Sequence, residues 1–234
     1  FEFPELAQEF KFPFVIADLI DDQRQWTVKP AYAAKLTENY RLTLDRADLV
    51  FTNCQPMSQV FGEFHTDITV VPNGAEVFDD SRTWSKPSDL ECLTGLIIGY
   101  VGNLSDRIDI DLLRYIATEK PDWNLVIIGS AHGSSQIFEL EELKNVHLLG
   151  VKKYDEALKF IQHFDVAIVP HLDSPLTRSM NPLKLYVYYA IGVPIVAFAI
   201  PNIEELSGNI QVASSHPEFV ACIEKALMQG RLTN

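Results

Sequence analysis

Short apolar runs rich in valine and isoleucine alternate along the chain with longer stretches in which apolar residues recur every three or four positions. The first pattern is typical of buried parallel strands and the second of amphipathic helices, so together they predict parallel βαβ units. The predicted strands are Phe14–Ile20, Leu49–Cys54, Ile68–Val71, Leu96–Val101, Asn124–Ile128, Val146–Leu149, Asp165–Val169, Pro194–Ala199 and Ile210–Ala213. The clearest predicted helices are Ala31–Ala47, Ile110–Glu119, Tyr154–Phe164, Pro182–Ile191 and Pro217–Gln229.

A polar segment between Val77 and Leu90 has no apolar period and is typical of a linker. We therefore predict an α/β protein of two Rossmann-like lobes: the end of a first lobe over 1–80, a linker over 81–92 and a second domain over 93–234. The strands after the linker suffice for a doubly wound sheet of about six strands. The strands before it are too few to build a lobe with both faces covered, and the chain begins at Phe1 rather than methionine. We expect the first lobe to be incomplete in this chain.

The composition mainly excludes classes of partner. The 234 residues are 47% hydrophobic and 22% charged, as in an ordinary globular protein. Acidic residues outnumber lysine and arginine by 32 to 19, and the net charge of −13 repels nucleic acid and anionic membranes. We expect no nucleic-acid partner, and membrane association only through segments not present in this chain.

The cysteines and the longest apolar runs indicate a compartment. The 3 cysteines are far apart and lack metal-ligand spacing, so neither a disulfide framework nor a zinc site is expected. No apolar run has the length of a membrane span, and the residues after Phe1 do not show a signal-peptide pattern. We therefore expect a protein of the reducing cytoplasm.

Two loops at the carboxyl ends of predicted strands carry candidate chemistry. The first contains Gly102, and ligands of open α/β sheets bind where such a strand ends, unless the glycine only turns the strand into a helix. The second ends at Asn181 and Pro182, predicted as the N-cap and first residue of a helix whose free amides attract anions. Lys184 lies in the first turn of that helix, where the dipole disfavours a cation unless a negative ligand compensates it. An ordinary surface lysine is the alternative.

Several stretches together resemble, in order and spacing, the GT-B glycosyltransferases of the large group 1 family. They are residues 99–104, 111–113, 121–129, 146–150 and 181–196, with 47–53 and 70–75 resembling the last strands of the acceptor-side lobe. The resemblance implies transfer of a sugar from a nucleoside diphosphate sugar, a co-substrate rather than a cofactor, to a sugar or lipid-linked acceptor. It further implies retention of configuration, no metal, and a role in cell-surface polysaccharide or glycoconjugate synthesis.

The resemblance also implies roles for individual residues around the donor. The diphosphate side is Gly102, Asn103, Arg107, Leu183 and Lys184; the nucleobase side is Val151 and Tyr154; the sugar side is His171 and Asp173. Lys184 is the expected catalytic residue, since the reaction requires stabilisation of the charge that develops on the leaving diphosphate. An exposed arginine at 107, helix-start packing by Tyr154 and a strand-capping histidine at 171 are the alternatives.

At two positions the sequence departs from the family pattern. The family usually carries two glutamates, the second of which binds the donor ribose, and here Ser179 and Val187 stand at those positions. Valine accepts no hydrogen bond, and the loss should cost about 1.5–3 kcal/mol of donor binding, or roughly ten- to a hundredfold in affinity. Two functions therefore stand: an active glycosyltransferase, or a non-catalytic GT-B-like binding or partner subunit with a degenerate donor site. A dinucleotide oxidoreductase is disfavoured because the required glycine spacing and acidic residue are missing.

Overall fold

The computed structural model describes residues 3–10, 12–26, 28–78, 83–131, 136–198, 206 and 210–232. The chain forms two compact units, Phe1–Asn73 with Ser174–Asn181 and Gly74–Asp173 with Pro182–Asn234. The chain thus enters the second unit after Asn73, before the predicted linker over 81–92, and re-enters the first for one short segment. Residues 81 and 82 of that linker, and Ala199 at the end of a predicted strand, lie outside the described residues.

The first unit is built on a parallel three-stranded sheet in the order β1-β2-β3. Its strands are β1 Ile16–Leu19, β2 Leu49–Thr52 and β3 Ile68–Val70, and its helices are α1 Pro4–Glu9, α2 Pro30–Arg46, α3 Gln55–Phe61 and α7 Pro175–Arg178. Alternate strand residues such as Leu19 and Val50 are buried against α2 and α3, where Tyr40 and Phe61 are fully enclosed. The core therefore lies on the helix-covered face of this sheet.

A buried ion pair follows β1 in the first unit. Asp22 is 2% exposed and accepts hydrogen bonds from Arg24 Nε at 2.8 Å and Arg24 Nη2 at 3.1 Å. The guanidinium carbon lies 4.8 Å from the ring centroid of Phe61 and 5.5 Å from that of Tyr40. Asp22 thus neutralises an arginine that packs on aromatic rings.

The second unit contains a parallel six-stranded sheet in the order β6-β5-β4-β7-β8-β9. Its strands are β4 Ile97–Val101, β5 Asn124–Ile128, β6 Val146–Leu148, β7 Val166–Val169, β8 Ile195–Phe198 and β9 Ile210–Ala213, and its helices are α4 Ser88–Glu91, α5 Ile110–Glu119, α6 Tyr154–Gln162, α8 Leu183–Ala190 and α9 His216–Gln229. This is the doubly wound order 3-2-1-4-5-6. The predicted six-stranded α/β sheet is confirmed.

Helices cover both faces of the second sheet. Helices α6 and α8 contribute Leu158, Phe160 and Leu185 to one apolar cluster. Helices α5 and α9 contribute Leu112 and Phe219 to the cluster on the opposite face. Because both faces are buried, the inner strands β5, β7 and β8 are nearly continuous apolar runs rather than alternating ones.

Strand order reverses between β4 and β7. β4 pairs with β5 on one side and with β7 on the other, and the chain reaches β7 only after building β5 and β6. Successive connections therefore leave in opposite directions, which opens a crevice at the carboxyl ends of these two strands. Any ligand of this sheet is expected there.

Candidate functional site

The loops that follow β4 and β7 are joined at the crevice by a short antiparallel bridge. Ile108 pairs with His171, Asp109 N donates to Pro170 O at 2.8 Å, and Leu172 N donates to Arg107 O at 2.8 Å. This bridge fixes Arg107 and His171 as neighbours at the topological switch point. It is a long-range pairing that no local sequence pattern predicts.

Lys184 reaches the same point from the first turn of α8. Its Nζ lies 3.1 Å from the hydroxyl oxygen of Tyr100 and 3.5 Å from Nε2 of His171. The ammonium also lies 4.7 Å from the ring centroid of Tyr100. We call Tyr100, Arg107, His171 and Lys184 the Lys184 cluster. Three of its four members are predicted site residues.

Gly102 is required by the position of the lysine. A Cβ added at Gly102 would lie 2.8 Å from both Lys184 Nζ and the Tyr100 hydroxyl oxygen, and its φ is +154°. Gly129, at the end of β5, is equally constrained, because a Cβ there would lie 1.8 Å from the carbonyl oxygen of Gly102. The absence of both side chains lets the loop, the lysine and the neighbouring strand end meet.

The electrostatics of the cluster favour an anion. Burial, and after it the positive charge of Arg107, lowers the pKa of Lys184 to about 7. Burial, Lys184 and Arg107 together hold the pKa of His171 well below its usual value, so the imidazole is neutral at pH 7. Within the described residues Lys184 makes no salt bridge. A bound anion would offset this positive charge, and the cluster is therefore chemically suited to phosphate.

The start of α8 differs from the prediction. The helix begins at Leu183 with Pro182 as its N-cap, so the prediction of Asn181 as N-cap is wrong. The Oδ1 of Asn181 instead accepts a hydrogen bond from Asn73 N at 3.0 Å, and its carbonyl accepts one from Asn73 Nδ2 at 2.6 Å. Leu183 is 53% exposed. Leu185 N donates a hydrogen bond to Pro182 O and so closes the first turn of α8. Leu183 and Lys184 lie in the first turn of α8, where backbone amides lack acceptors within the helix.

The other predicted residues lie on loops around the sheet's carboxyl edge. Asn103 is exposed directly after Gly102, whose own amide donates to Ile128 O at 2.9 Å. Asp173 is exposed two residues after His171. Val151 is 73% exposed after β6, and Tyr154, 51% exposed, begins α6. Val151 and Tyr154 follow the outermost strand on this side, two strands away from β4.

The two positions where the family carries glutamate have different surroundings. Val187 is 6% exposed and belongs to the apolar cluster beneath α8, beside Leu185 and Tyr188. Ser179 lies in the segment that returns to the first unit, and its hydroxyl donates to Leu176 O at 2.9 Å. Neither position offers a carboxylate to a ribose.

Sequence reasoning missed two tyrosines near this site. Tyr100 supplies the hydroxyl at the centre of the Lys184 cluster. Tyr188 on α8 accepts a hydrogen bond from Val101 N at 2.8 Å and so fastens the helix to the end of β4. For Tyr100 the sequence offered one signal, an aromatic residue two positions before the strand-ending Gly102. In an apolar run such a residue indicates core packing rather than a binding site.

Comparison with known proteins identifies the second unit most clearly. The sequence profile of the family described as Glycosyl transferases group 1 matches residues 95–229, more than half of the chain. The putative teichuronic acid biosynthesis glycosyltransferase TuaH of Bacillus subtilis (strain 168) is 28% identical over 171 residues. The match covers 70% of this chain and 43% of TuaH, so the chain spans less than half the length of that relative.

Solved structures share the fold. The sucrose-phosphate synthase of Thermosynechococcus elongatus has a TM-score of 0.70 at 17% identity, covering 96% of this chain and 61% of that one. Anabaena HepE in complex with UDP and glucose has a TM-score of 0.67 at 18% identity, covering 92% and 62%. The predicted GT-B fold class is confirmed by these likenesses.

No described helix is long and apolar enough to cross a bilayer. The described part of the chain also contains no group of three His, Cys, Asp or Glu side chains placed to hold a metal ion.

Proposed function

The chain belongs to the glycosyl transferases group 1 family, and on that premise we propose that it binds a nucleoside diphosphate sugar at the Lys184 cluster and transfers the sugar to an acceptor. The observation that carries the proposal is the convergence of Lys184, Arg107 and His171 at the topological switch point of a doubly wound sheet. Of these, Lys184 makes no salt bridge within the described residues. An external diphosphate would supply the missing negative charge.

The chemical role of the cluster is to stabilise the leaving group. As the glycosidic bond breaks, negative charge develops on the diphosphate, and a preorganised ammonium and guanidinium stabilise that charge more than they stabilise the bound donor. His171 is neutral and within 3.5 Å of the ammonium, so it acts as a polar neighbour rather than a second cation. We assign no acid–base pair. We propose a retaining, metal-independent transfer.

The names of the relatives support a proposal for the acceptor and the biological setting. TuaH carries a name that places it in teichuronic acid biosynthesis. The HepE structure contains UDP and glucose. We propose that this chain likewise uses a nucleotide sugar and a sugar or lipid-linked acceptor, in cell-surface polysaccharide or glycoconjugate synthesis in the cytoplasm.

Calorimetric titration with UDP-, GDP- and dTDP-sugars tests the proposal. We expect saturable heat with one of these donors, and at least tenfold weaker binding by Lys184→Met. Lys159→Met, which removes an exposed charge from α6, is the matched control and should bind normally. Absence of heat with every donor, for a protein shown to be folded, would overturn the proposal.

The stereochemistry and the metal requirement have their own measurement. Slow hydrolysis of the donor, followed by proton NMR, reports the anomer first released. We expect the configuration of the donor to be retained and the rate to be unchanged by EDTA. An inverted anomer, or a rate abolished by EDTA and restored by Mg²⁺, would contradict this part of the proposal.

Val187 favours a second candidate, a GT-B-like binding or partner subunit that does not catalyse transfer. A buried valine at the ribose position weakens donor binding without removing the diphosphate contacts. The two candidates separate on turnover: a transferase that binds the donor also hydrolyses it slowly. Binding with no release of free sugar or nucleoside diphosphate would favour the partner subunit.

A further inference from the structure

The Tyr100 hydroxyl connects two parts of the candidate site that come from different elements. It donates to the carbonyl of Asn103 at 3.1 Å and accepts from Nζ of Lys184 at 3.1 Å. A tyrosine hydroxyl has one proton and two lone pairs, so it makes both bonds at once and keeps one lone pair. The positive charge of Arg107 also acts on Tyr100 and favours a lower pKa of that hydroxyl, against the larger effect of burial.

The ring of Tyr100 is held rigidly. It is fully buried on β4, in the cluster that includes Leu104, Ile108 and Leu112. Burial also raises the pKa of Tyr100 far above the physiological range, so the hydroxyl keeps its proton. Because the ring is buried and the hydroxyl stays protonated, the hydroxyl holds Lys184 Nζ and the Asn103 carbonyl in a single arrangement.

We propose that Tyr100 is a positioning residue, whose hydroxyl fixes the Lys184 ammonium and the Asn103 carbonyl relative to each other before an anion binds. This inference rests on the proposed diphosphate role of Lys184. Lysine has four rotatable side-chain bonds, and holding its ammonium in advance reduces the entropy that binding must cost. Gly102 permits the arrangement, because any side chain there would overlap the lysine and the hydroxyl.

The positioning role and a simple core-packing role require different atoms of Tyr100. A packing role needs only the ring, which also contributes the cation–π contact to Lys184 at 4.7 Å. The positioning role needs the oxygen. Tyr100→Phe removes the oxygen and keeps the ring, so it separates the two roles.

The first measurement needs no nucleotide. The ammonium of Lys184 is titrated by NMR in protein carrying isotope-labelled lysine, and its signal is identified by its loss in Lys184→Met. The hydroxyl accepts a hydrogen bond from the charged form, so its removal should lower the pKa of Lys184. An unchanged titration midpoint in Tyr100→Phe would overturn the inference.

Tyr40→Phe is the matched control. Tyr40 is also fully buried, and its hydroxyl accepts from Gln23 N at 3.1 Å in the first unit. Its ring belongs to the core of the first unit, whereas Lys184 belongs to the second, so its replacement should cost similar stability and leave the lysine titration unchanged. A thermal melt of each variant confirms that it is folded.

The second measurement is nucleotide affinity, with whichever of UDP, GDP and dTDP binds the wild-type protein. We expect Tyr100→Phe to bind about three- to tenfold more weakly, and Tyr40→Phe to bind normally. In a protein that binds nucleotide, equal affinity of Tyr100→Phe and wild type overturns the inference even if the titration shifts. If the wild-type protein binds none of the three, the proposed function fails, while the titration still supports or overturns the positioning of Lys184.

Discussion

Arg24 in the first unit and Lys184 in the second each pack on an aromatic ring, but only Arg24 has a carboxylate partner among the described residues. Arg24 lies 4.8 Å from the ring centroid of Phe61, and Lys184 lies 4.7 Å from that of Tyr100. Asp22 neutralises Arg24 through two hydrogen bonds. Lys184 has a hydroxyl and an imidazole as neighbours, and in the described residues it makes no salt bridge.

We interpret the difference as one between a cation with a structural role, Arg24, and a cation with the proposed role of binding an anion, Lys184. The Arg24 site is complete, because its charge is balanced inside the chain. The Lys184 site is electrostatically incomplete, and burial lowers the pKa of that lysine to about 7. A protein that keeps a partly desolvated cation without a counter-ion gains stability when an anion arrives, so Lys184 should affect binding and Arg24 should affect folding.

The largest expected effect is a loss of folding stability when the Arg24–Asp22 pair is broken. Asp22→Ala leaves the Arg24 guanidinium with only the exposed carboxylate of Glu63, at 3.7 Å, and should lower the free energy of unfolding by about 3 kcal/mol, measured by urea denaturation. The combined replacement Asp22→Asn with Arg24→Met, which removes both charges, should recover most of that loss. A change below about 1 kcal/mol in Asp22→Ala would show that the pair is not a buried structural one.

Lys184→Met should show the reverse behaviour. We expect a ten- to a hundredfold loss of nucleotide affinity, equivalent to about 1.5–3 kcal/mol, with a free energy of unfolding that is unchanged or raised. The replacement is close in length and removes an uncompensated charge. Clear destabilisation together with normal affinity would remove the distinction between the two cations.

Gly102→Ala tests the close approach that the lysine site depends on. The added methyl group would displace the lysine end or the loop, so we expect roughly tenfold weaker nucleotide binding and a stability loss of about 1–3 kcal/mol. Gly74→Ala is the control, because a Cβ there meets nothing within 4 Å. Equal affinities of the two variants would show that the space above Gly102 is not used.

The contributions of Lys184 to nucleotide affinity and to the free energy of unfolding should change with pH in opposite directions. In the folded protein the pKa is about 7, below the ordinary 10.5 of the unfolded chain. Between these values the unfolded chain binds more protons, so the contribution of Lys184 to the free energy of unfolding rises with pH. Nucleotide affinity should instead fall above pH 7, by up to about tenfold per unit, because the lysine must first take up a proton. Lys184→Met should lack both trends.

The sequence predicts the elements better than the contacts between them. The strand Asn124–Ile128 has the predicted bounds, because a strand buried on both faces is a nearly continuous apolar run. The edge strand Ile210–Ala213 also has the predicted bounds, although its two middle residues are less buried than its ends. The short helices α1, α3, α4 and α7 were missed, since four to seven residues are too few to show a helical period. Asn181 was misassigned because its partner, Asn73, is distant in sequence.

In the candidate site, too, individual residues were predictable from the sequence and the contacts between them were not. Gly102 and Lys184 were predictable, because each stands at a strand end or helix start where ligands bind in this class of sheet. Their convergence with Arg107 and His171 depends on a bridge between two loops that no local pattern encodes. Tyr100 was missed because its ring belongs to the core and only its hydroxyl reaches the site.

The most direct test of the central claim is a titration of the protein at pH 8 with UDP, GDP and dTDP, in buffers of different ionisation enthalpy. If Lys184 is the diphosphate-binding cation, one nucleotide binds and the dependence of the heat on the buffer shows uptake of up to one proton per site, which Lys184→Met abolishes. Binding of none of the three, or equally tight binding by Lys184→Met with the same proton uptake, would contradict the account.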